Sequence, residues 1–426
     1  MMRKMLIGRV GRARCVALAT RCMSAQAKQH PVQVVSLERL AHQGRVALQI
    51  ADAAKANVRI VPTLHPSEFA LRVFRLSEEK GEGGEEEVFS VHEEGGGEDD
   101  AHAKTLRLTK TGTSSQDIEV LLSVPHLVDL DVQSVRGSVA IDDKIEGNVR
   151  VALSHGDIRV NKVRGEDIQL KTSRGRIDVA ALVEGEKVKL TASAVAVKRL
   201  MSASTEVKLG KSDEDADLGA IYSALCLVNT QSTGTLKVGN IHGFLRVNGE
   251  AMKAVHVNSV NGALHIEDSG ADCFVDAHFD AWSPDAANKI FVGGDVRVSL
   301  DPSAPIDVEL HGSKIATDTC KFSESELDQL DEDYAIFTGS LLPTATSPDR
   351  ASAASGKINV GSAKHAALRT SFFAAENDTS DQGKAASSSD IHPSRLPRLV
   401  VHASNGSVKL EQLDWMGKIK RKHLTQ

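Results

Sequence analysis

Large rings are scarce in this chain. Phe, Tyr and Trp together make up 4% of 426 residues, with two Trp and two Tyr. A core built around aromatic side chains is therefore excluded. The hydrophobic 41% is mostly Val, Ile, Leu and Ala, which favours β-branched side chains stacked on pleated faces. No run approaches 18 apolar residues, so no transmembrane helix is expected. The five cysteines form no CxxC or CxxxC pair, which excludes a zinc ribbon and a disulfide framework. Cys226, Cys273 and Cys320 read as buried free thiols. GxGxxG, GxxxxGK[ST] and GxSxG are all missing, so nothing supports nucleotide binding or a nucleophile elbow.

Acidic residues are missing from the N-terminus. None precedes Glu38, whereas Arg3, Lys4, Arg9, Arg12, Arg14, Arg21 and Lys28 all do. Met5, Leu6, Ile7, Val10, Val16 and Leu18 share one face of a helix. An Arg-rich, acid-free amphipathic start reads as a mitochondrial transit peptide over residues 1–23, with the matrix as destination. Removing its six basic residues takes the formal charge from −6 to near −12. A body that acidic argues against nucleic acid as a partner.

What is abundant is a short repeat: a polar residue, Gly, any residue, then two aliphatics separated by one position. It appears at Arg136-Gly137-Ser138-Val139-Ala140-Ile141, again around Gly156 and Ile158, and again around Gly175 and Ile177, so that both intervals are equal, at 19. One more interval lands on Ala194, where the glycine is lost. Later copies centre on Gly234, Gly262 and Gly406. A second glycine sits half a period away, at Gly147, Gly165, Gly185 and Gly243, each followed by a short alternating strand such as Val149-Arg150-Val151. Alternation points one side chain in and the next out, and glycine permits the tight corner between strands. The period is too short for a propeller blade, and the leucine-rich-repeat signature is missing. The pattern predicts an all-β, right-handed parallel β-solenoid, on the order of ten coils over 118–320 at one strand spacing each. A step of 19 also sets Asp157 beside Arg176 and Arg159 beside Asp178, opposite charges on neighbouring coils.

The stretches Ile145-Glu146-Gly147-Asn148 through Val163-Arg164-Gly165, Gln169 through Gly175, and Gly406-Ser407-Val408-Lys409-Leu410 through Trp415 resemble an adhesin-type β-solenoid domain family of unknown function, widespread in bacteria. Within it the chain looks most like the eukaryotic mitochondrial family with sequence similarity 185. The resemblance spans roughly residues 35–320 plus the tail. It implies the parallel solenoid and implies no catalytic residues and no cofactor.

The ends of a solenoid expose strand edges and need covers. Residues 33–76 are expected to form an N-terminal cap and first strands, 78–104 an acidic Gly/Glu-rich disordered loop, and 105–320 the solenoid. Asp213, Glu214, Asp215 and Asp217 mark a small loop within 211–219. Ser323-Glu324-Ser325-Glu326 has the form of a capping box, which predicts one short acidic helix within 321–340 with Leu327, Leu330, Tyr334 and Phe337 packed on the rod. Residues 341–397 are rich in Ser, Ala and Pro and are expected to be largely disordered with a short strand segment; 398–426 should supply a final strand and a basic tail. Trp415, Lys418, Lys420, Arg421 and Lys422 could contact an anionic membrane or a partner weakly.

A solenoid hydrolase would need carboxylates converging in a groove. Here the outward columns alternate in sign, and Asp142-Asp143 reads as a solvated turn. His242, His256, His265 and His278 follow spacings of 14, 9 and 13, which match no single period, so no metal site is assigned. The expected function is a non-catalytic scaffold or protein-binding module of mitochondria, monomeric or paired end to end, without metal or cofactor. The alternatives are a carbohydrate-active or other hydrolytic enzyme using a groove, and a peripheral inner-membrane protein held by its tail.

Overall fold

The computed structural model describes residues 33–36, 44–50, 55–64, 69–75, 88–95, 103–111, 117–283, 287–303, 305–341, 396–413 and Gly417. The expected transit peptide, most of the 341–397 segment, and Trp415, Lys418, Lys420, Arg421 and Lys422 lie outside the described residues.

Among the described residues every named element is a strand. The first nine are β1 (Gln33–Ser36), β2 (Arg45–Ile50), β3 (Ala56–Thr63), β4 (Ala70–Arg75), β5 (Val88–Gly95), β6 (Ala103–Thr111), β7 (Ile118–Pro125), β8 (Asp129–Arg136) and β9 (Val139–Glu146). The central ones are β10 (Val149–His155), β11 (Ile158–Arg164), β12 (Asp167–Arg174), β13 (Arg176–Ala192), β14 (Ala194–Leu209), β15 (Ala216–Thr230), β16 (Thr235–Gly249) and β17 (Ala254–Asp268). The last are β18 (Phe274–Trp282), β19 (Asn288–Val292), β20 (Val296–Leu300), β21 (Ile306–Gly312), β22 (Lys314–Ala316), β23 (Phe322–Gln329), β24 (Ala335–Leu341), β25 (Arg398–Ala403) and β26 (Ser407–Gln412).

From β8 to β20 the chain winds as a parallel β-solenoid of about 8 turns. Each coil pairs in parallel with the one before and the one after. Val139, Ile158, Ile177 and Val195 lie in register, and all are fully buried. A second column, Val132, Val151, Leu170, Leu190, Val207, Val228, Val247, Ile266 and Ile290, runs up the opposite strand. Burying each such side chain contributes about 1.5–3 kcal/mol. The step from coil to coil is not constant. It is 19 from Ile158 to Ile177, 18 from there to Val195, 21 from Val197 to Leu218 and 24 from Ile266 to Ile290.

Crowding explains the corner glycines. A Cβ at Gly156 would lie 1.6 Å from the Gly137 carbonyl oxygen, and its φ of 127° is one that L side chains rarely adopt. Gly137 and Gly175 occupy the same corner, with Ser193 in place of the lost glycine. Gly234 and Gly406 are equally crowded, against Glu214 and Gly294. Gly262 does not belong to this column. It stands in register with Gly243, at the half-period corner.

The ends are not wound in chain order. β2 lies between β6 and β8, and β3 between β7 and β9, so residues 45–63 supply the second coil of the rod rather than its cap. The N-terminal edges are covered by antiparallel strands: β4 on β7, β1 on β4 and β5 on β6. β5 falls inside the 78–104 segment expected to be a disordered loop; Val88, Phe89 and Val91 give it enough β-propensity to pair with the edge of β6. At the other end β25 inserts between β19 and β21, and β26 between β20 and β22. The C-terminal segment is therefore two strands in a penultimate coil and not a final strand. Leu399, Val401, Ala403, Val408 and Leu410 continue the core columns there.

The expected acidic helix does not form. Residues 321–340 make the hairpin β23–β24, and β24 runs antiparallel to β21. Its buried residues, Ala335, Phe337 and Leu341, follow even spacing rather than a 3.6-residue period. Ser323, expected to cap a helix, donates its hydroxyl across the hairpin to the Ser340 carbonyl. Leu327 and Leu330, expected to pack on the rod, are 59% and 63% exposed. The 211–219 loop is shorter than expected, because β15 begins at Ala216.

Candidate binding face

The outward columns of a solenoid show what the rod offers to other molecules. One column reads Glu146, Arg164, Glu184, Met201, Tyr222, His242 and Asn261 in successive coils. Its first half is ionic. Arg164 pairs with Glu184 at 2.8 Å, and Lys144, followed by Arg164, holds the Glu146 carboxyl below its ordinary range. Its second half is apolar and aromatic. The Tyr222 and His242 rings stack 4.6 Å apart with planes 2° from parallel.

The adjoining column changes in the same coils: Lys187 and Ser204 give way to Leu225, Phe244 and Ala263. Phe244 meets His265 edge-on at 4.9 Å. Tyr222 and Leu225 are 40% and 39% exposed. Among the described residues of the coils from 117 to 283, they alone are exposed large hydrophobics.

Three hydroxyls, those of Thr205 and Ser223 buried, hold the corner beneath. Ser202 Oγ lies 2.9 Å from Ser223 Oγ and 2.6 Å from Thr205 Oγ1, and Ser223 donates to the Leu225 carbonyl at 2.8 Å. These bonds fix the bulge between Ser223 and Leu225, which aims Tyr222 and Leu225 outward from one corner. Gly243 continues the corner, with φ 118° and space for no Cβ beside the Ser223 carbonyl. Ionic groups border the patch: Lys208 with Glu206 at 2.7 Å and Arg246 with Glu267 at 3.6 Å. Burial, ahead of the opposing bond to the Ala287 carbonyl, lowers the His265 pKa. The result is a small neutral platform on a charged rod.

The pattern was visible only in register. Tyr222, Leu225 and Leu227 belong to a nearly continuous apolar run, and alternation alone does not say which of them face out.

The expected cross-coil pairs are in register but bond differently. Arg159 lies opposite Asp178, whereas the Arg176 guanidinium reaches Asp178 on its own strand at 2.7 Å. Asp157 instead accepts the Arg176 backbone N–H at 3.0 Å. That bond recurs: Asn57 accepts from Ser138 N, Asn148 from Asp167 N, Asp215 from Thr235 N and Asp295 from Ser407 N. Each side chain satisfies an N–H that the ladder leaves open at a corner.

The histidines do not converge. His242, His256, His265 and His278 fall in separate columns, and His278 is buried. Among the described residues no three His, Cys, Asp or Glu side chains form a group able to hold a metal. One cluster has the composition of a hydrolytic triad: Ser299 Oγ lies 2.8 Å from His278 Nδ1, and His278 Nε2 3.3 Å from Asp280 Oδ1. Ser299 is 0% and His278 3% exposed, so no substrate reaches that hydroxyl, and Asp280 also takes the Ser259 hydroxyl. Burial pushes the Cys226 and Cys273 thiols up to about 12 and Cys320 to about 11, so none offers a thiolate near neutrality.

Comparison with known proteins reaches the coils and not their use. A crystal structure of a candidate cell adhesion protein from Clostridium sporogenes ATCC 15579 aligns over 91% of this chain and 100% of its own, at 9% identity and a TM-score of 0.18, too low to carry any argument. No curated protein matches the chain. Residues 82–267, less than half of the chain, match the family described as Toastrack DUF4097, and it is to that solenoid domain that these coils are similar.

Proposed function

We propose that this protein is a non-catalytic scaffold of mitochondria that docks the apolar anchors of a protein partner on the face formed by Met201, Tyr222, Leu225, His242 and Phe244. The observation that carries the reading is the switch within single columns from ion pairs to exposed rings and aliphatics. Contiguous exposed apolar side chains rimmed by polar ones mark interaction sites, and tyrosine is among the residues that dominate binding energy at them. Three adjacent coils present the platform over about 10 Å of rod, at the ~4.8 Å strand spacing, which suits a few anchors rather than a broad interface. The mitochondrial setting rests on the basic, acid-free residues 1–23.

Site-specific photocrosslinking in isolated mitochondria tests it. A crosslinker at Ala224, within the platform, should trap a discrete adduct that one at Lys189, on the ionic coils, does not. Leu225→Asp should weaken capture about tenfold or more while lowering the melting temperature far less than truncation of a core leucine does, because Leu225 is 39% exposed. Identical adducts from both positions, or full capture by Leu225→Asp, would overturn the reading.

A further inference from the structure

The inserted C-terminal coil is fastened at a place remote from the binding face. Three polar rings meet there, one from each piece of the end assembly. His402 belongs to β25, the inserted strand; His311 belongs to β21, on which it rests; Tyr334 sits at the tip of the covering hairpin β23–β24. The Tyr334 hydroxyl lies 3.0 Å from His311 Nδ1 and 3.3 Å from His402 Nε2. The two imidazole centroids are 5.5 Å apart.

The proton positions follow from the surroundings. His311 Nε2 lies 2.8 Å from Glu309 Oε1. The hydrogen bond from His311, ahead of Arg398, holds that carboxyl below its ordinary range, so it is ionised and must accept. His311 therefore carries its hydrogen on Nε2 and presents a bare Nδ1. Tyr334 donates to that nitrogen, and its oxygen accepts from His402 Nε2–H. The three groups form one directed chain from coil to cap to rung.

Such a chain tolerates one added proton and not two. Protonated His311 donates to the tyrosine oxygen, and Tyr334 turns its hydrogen to a bare His402 Nε2. With both imidazoles charged, each nitrogen donates toward one oxygen, the phenolic hydrogen has no acceptor, and two cations face each other. We infer that this His–Tyr–His clasp locks the inserted C-terminal coil beneath its cap at neutral pH and releases it when both histidines are protonated. Burial, ahead of the His311 charge, already lowers the His402 pKa, in keeping with a closed state that disfavours the second proton.

The other charged groups around the rings do not cancel the effect. Glu309 is shared with Arg398 of the inserted strand. Asp307 accepts the Ser340 hydroxyl. From β19, Phe291 stacks edge-on against His402, and Lys289 lies two residues away on the same outward face. From β17, Glu267 is in register with Phe291. In the hairpin, Asp328 pairs with Ile336, which pairs with His311; Asp331 and Asp333 bond within the turn, beside Glu332. A histidine whose folded pKa is depressed stabilises the fold above the ordinary value near 6.5 and loses that contribution as pH falls. Imidazole is the side chain whose ordinary titration falls between about pH 7 and about pH 5, so that interval reads the histidines.

Hydrogen exchange in the full-length protein reads the clasp directly. Protection of 398–403, corrected for intrinsic exchange and referenced to 149–155, should fall about threefold or more between pH ~7.5 and ~5.5, because the open state takes up the proton that the closed clasp disfavours. His402→Gln keeps a donor toward Tyr334 and cannot be charged; it should hold its protection at the lower pH. Tyr334→Phe removes the bridging oxygen and should lower protection already at the higher pH. Wild-type protection that does not change with pH, or a fall in His402→Gln as large as in wild type, would overturn the inference.

Discussion

The middle of the rod and its C-terminal end are built from the same coil but assembled differently. In the middle each coil rests on the one wound just before it, so contacts are short in sequence and each turn completes the last. At the end the coil of β25 and β26 slides between two coils already formed, reaching partners such as Arg297 that lie 114 residues away. The N-terminal end repeats the arrangement with β2 and β3. A growing solenoid can add turns indefinitely. An inserted penultimate coil under antiparallel strands stops it, because the outermost strands no longer offer parallel edges of the same register. The middle therefore depends on geometry repeated locally, and the ends on docking.

Breaking the local geometry should have the largest effect. Gly156→Ala places a Cβ 1.6 Å from the Gly137 carbonyl at a φ disfavoured for alanine. Neither backbone can retreat, because each is held by the ladder. We expect a loss of about 3 kcal/mol or more in urea unfolding, the scale of a strained core position. Gly210→Ala, where the Cβ would meet only the Ala192 oxygen at 3.8 Å, should cost less than about 1 kcal/mol. Equal losses at the two sites would mean that the corners do not set the coil.

Matched core truncations sharpen the contrast between middle and end. Leu170→Ala and Leu399→Ala each delete a fully buried leucine and should cost about 2–5 kcal/mol. Their consequences should differ in extent. Around Leu170 parallel coils on both sides are continuous in chain, and opening spreads to neighbours. Leu399→Ala should loosen 396–413 alone, seen as selective proteolysis there with 117–283 intact. Cleavage of both regions together would show the inserted coil to be part of one cooperative unit.

These features were unequally legible in the sequence. The coil, its corners and the neighbours Ile158 and Ile177 could be read because glycine and alternation are local signals that recur. The order of coils at the ends could not, since Arg398–Gln412 has the same pattern whether it stacks last or inserts. The hairpin at 322–341 was misread because Ser-x-x-Glu serves a helix cap and an exposed alternating strand equally well. Gly262 fell in the wrong column because both corners carry a glycine followed by alternating aliphatics, and upstream steps of 18 and 21 make a fixed period lose register. The same drift hid the platform: Met201, Tyr222 and His242 align only after steps of 21 and 20.

The smallest expected effect lies in the corner carboxylates, where middle and end use one device for different ends. Asp215 accepts the Thr235 N–H within the consecutive coils, and Asp295 accepts both the N–H and the hydroxyl of Ser407 across the insertion. In each case the backbone N–H bond, the leading cause, holds the carboxyl below its ordinary range. A depressed carboxyl pKa stabilises the fold above the unfolded value near 4, and the contribution disappears as pH falls through the folded value. Both groups are largely solvated, so each should contribute only about 1 kcal/mol, the scale of a single hydrogen bond. Asp215→Ala should lower stability slightly at neutral pH and flatten the acid limb of global unfolding. Asp295→Ala should leave global unfolding nearly unchanged and instead raise exchange at 407–412, an effect that fades as acid protonates the wild-type carboxyl as well. If Asp295→Ala moved the global transition as much as Asp215→Ala, the inserted coil would be as integral to the rod as any turn of the middle, and the distinction between growth by stacking and closure by docking would lose its energetic basis.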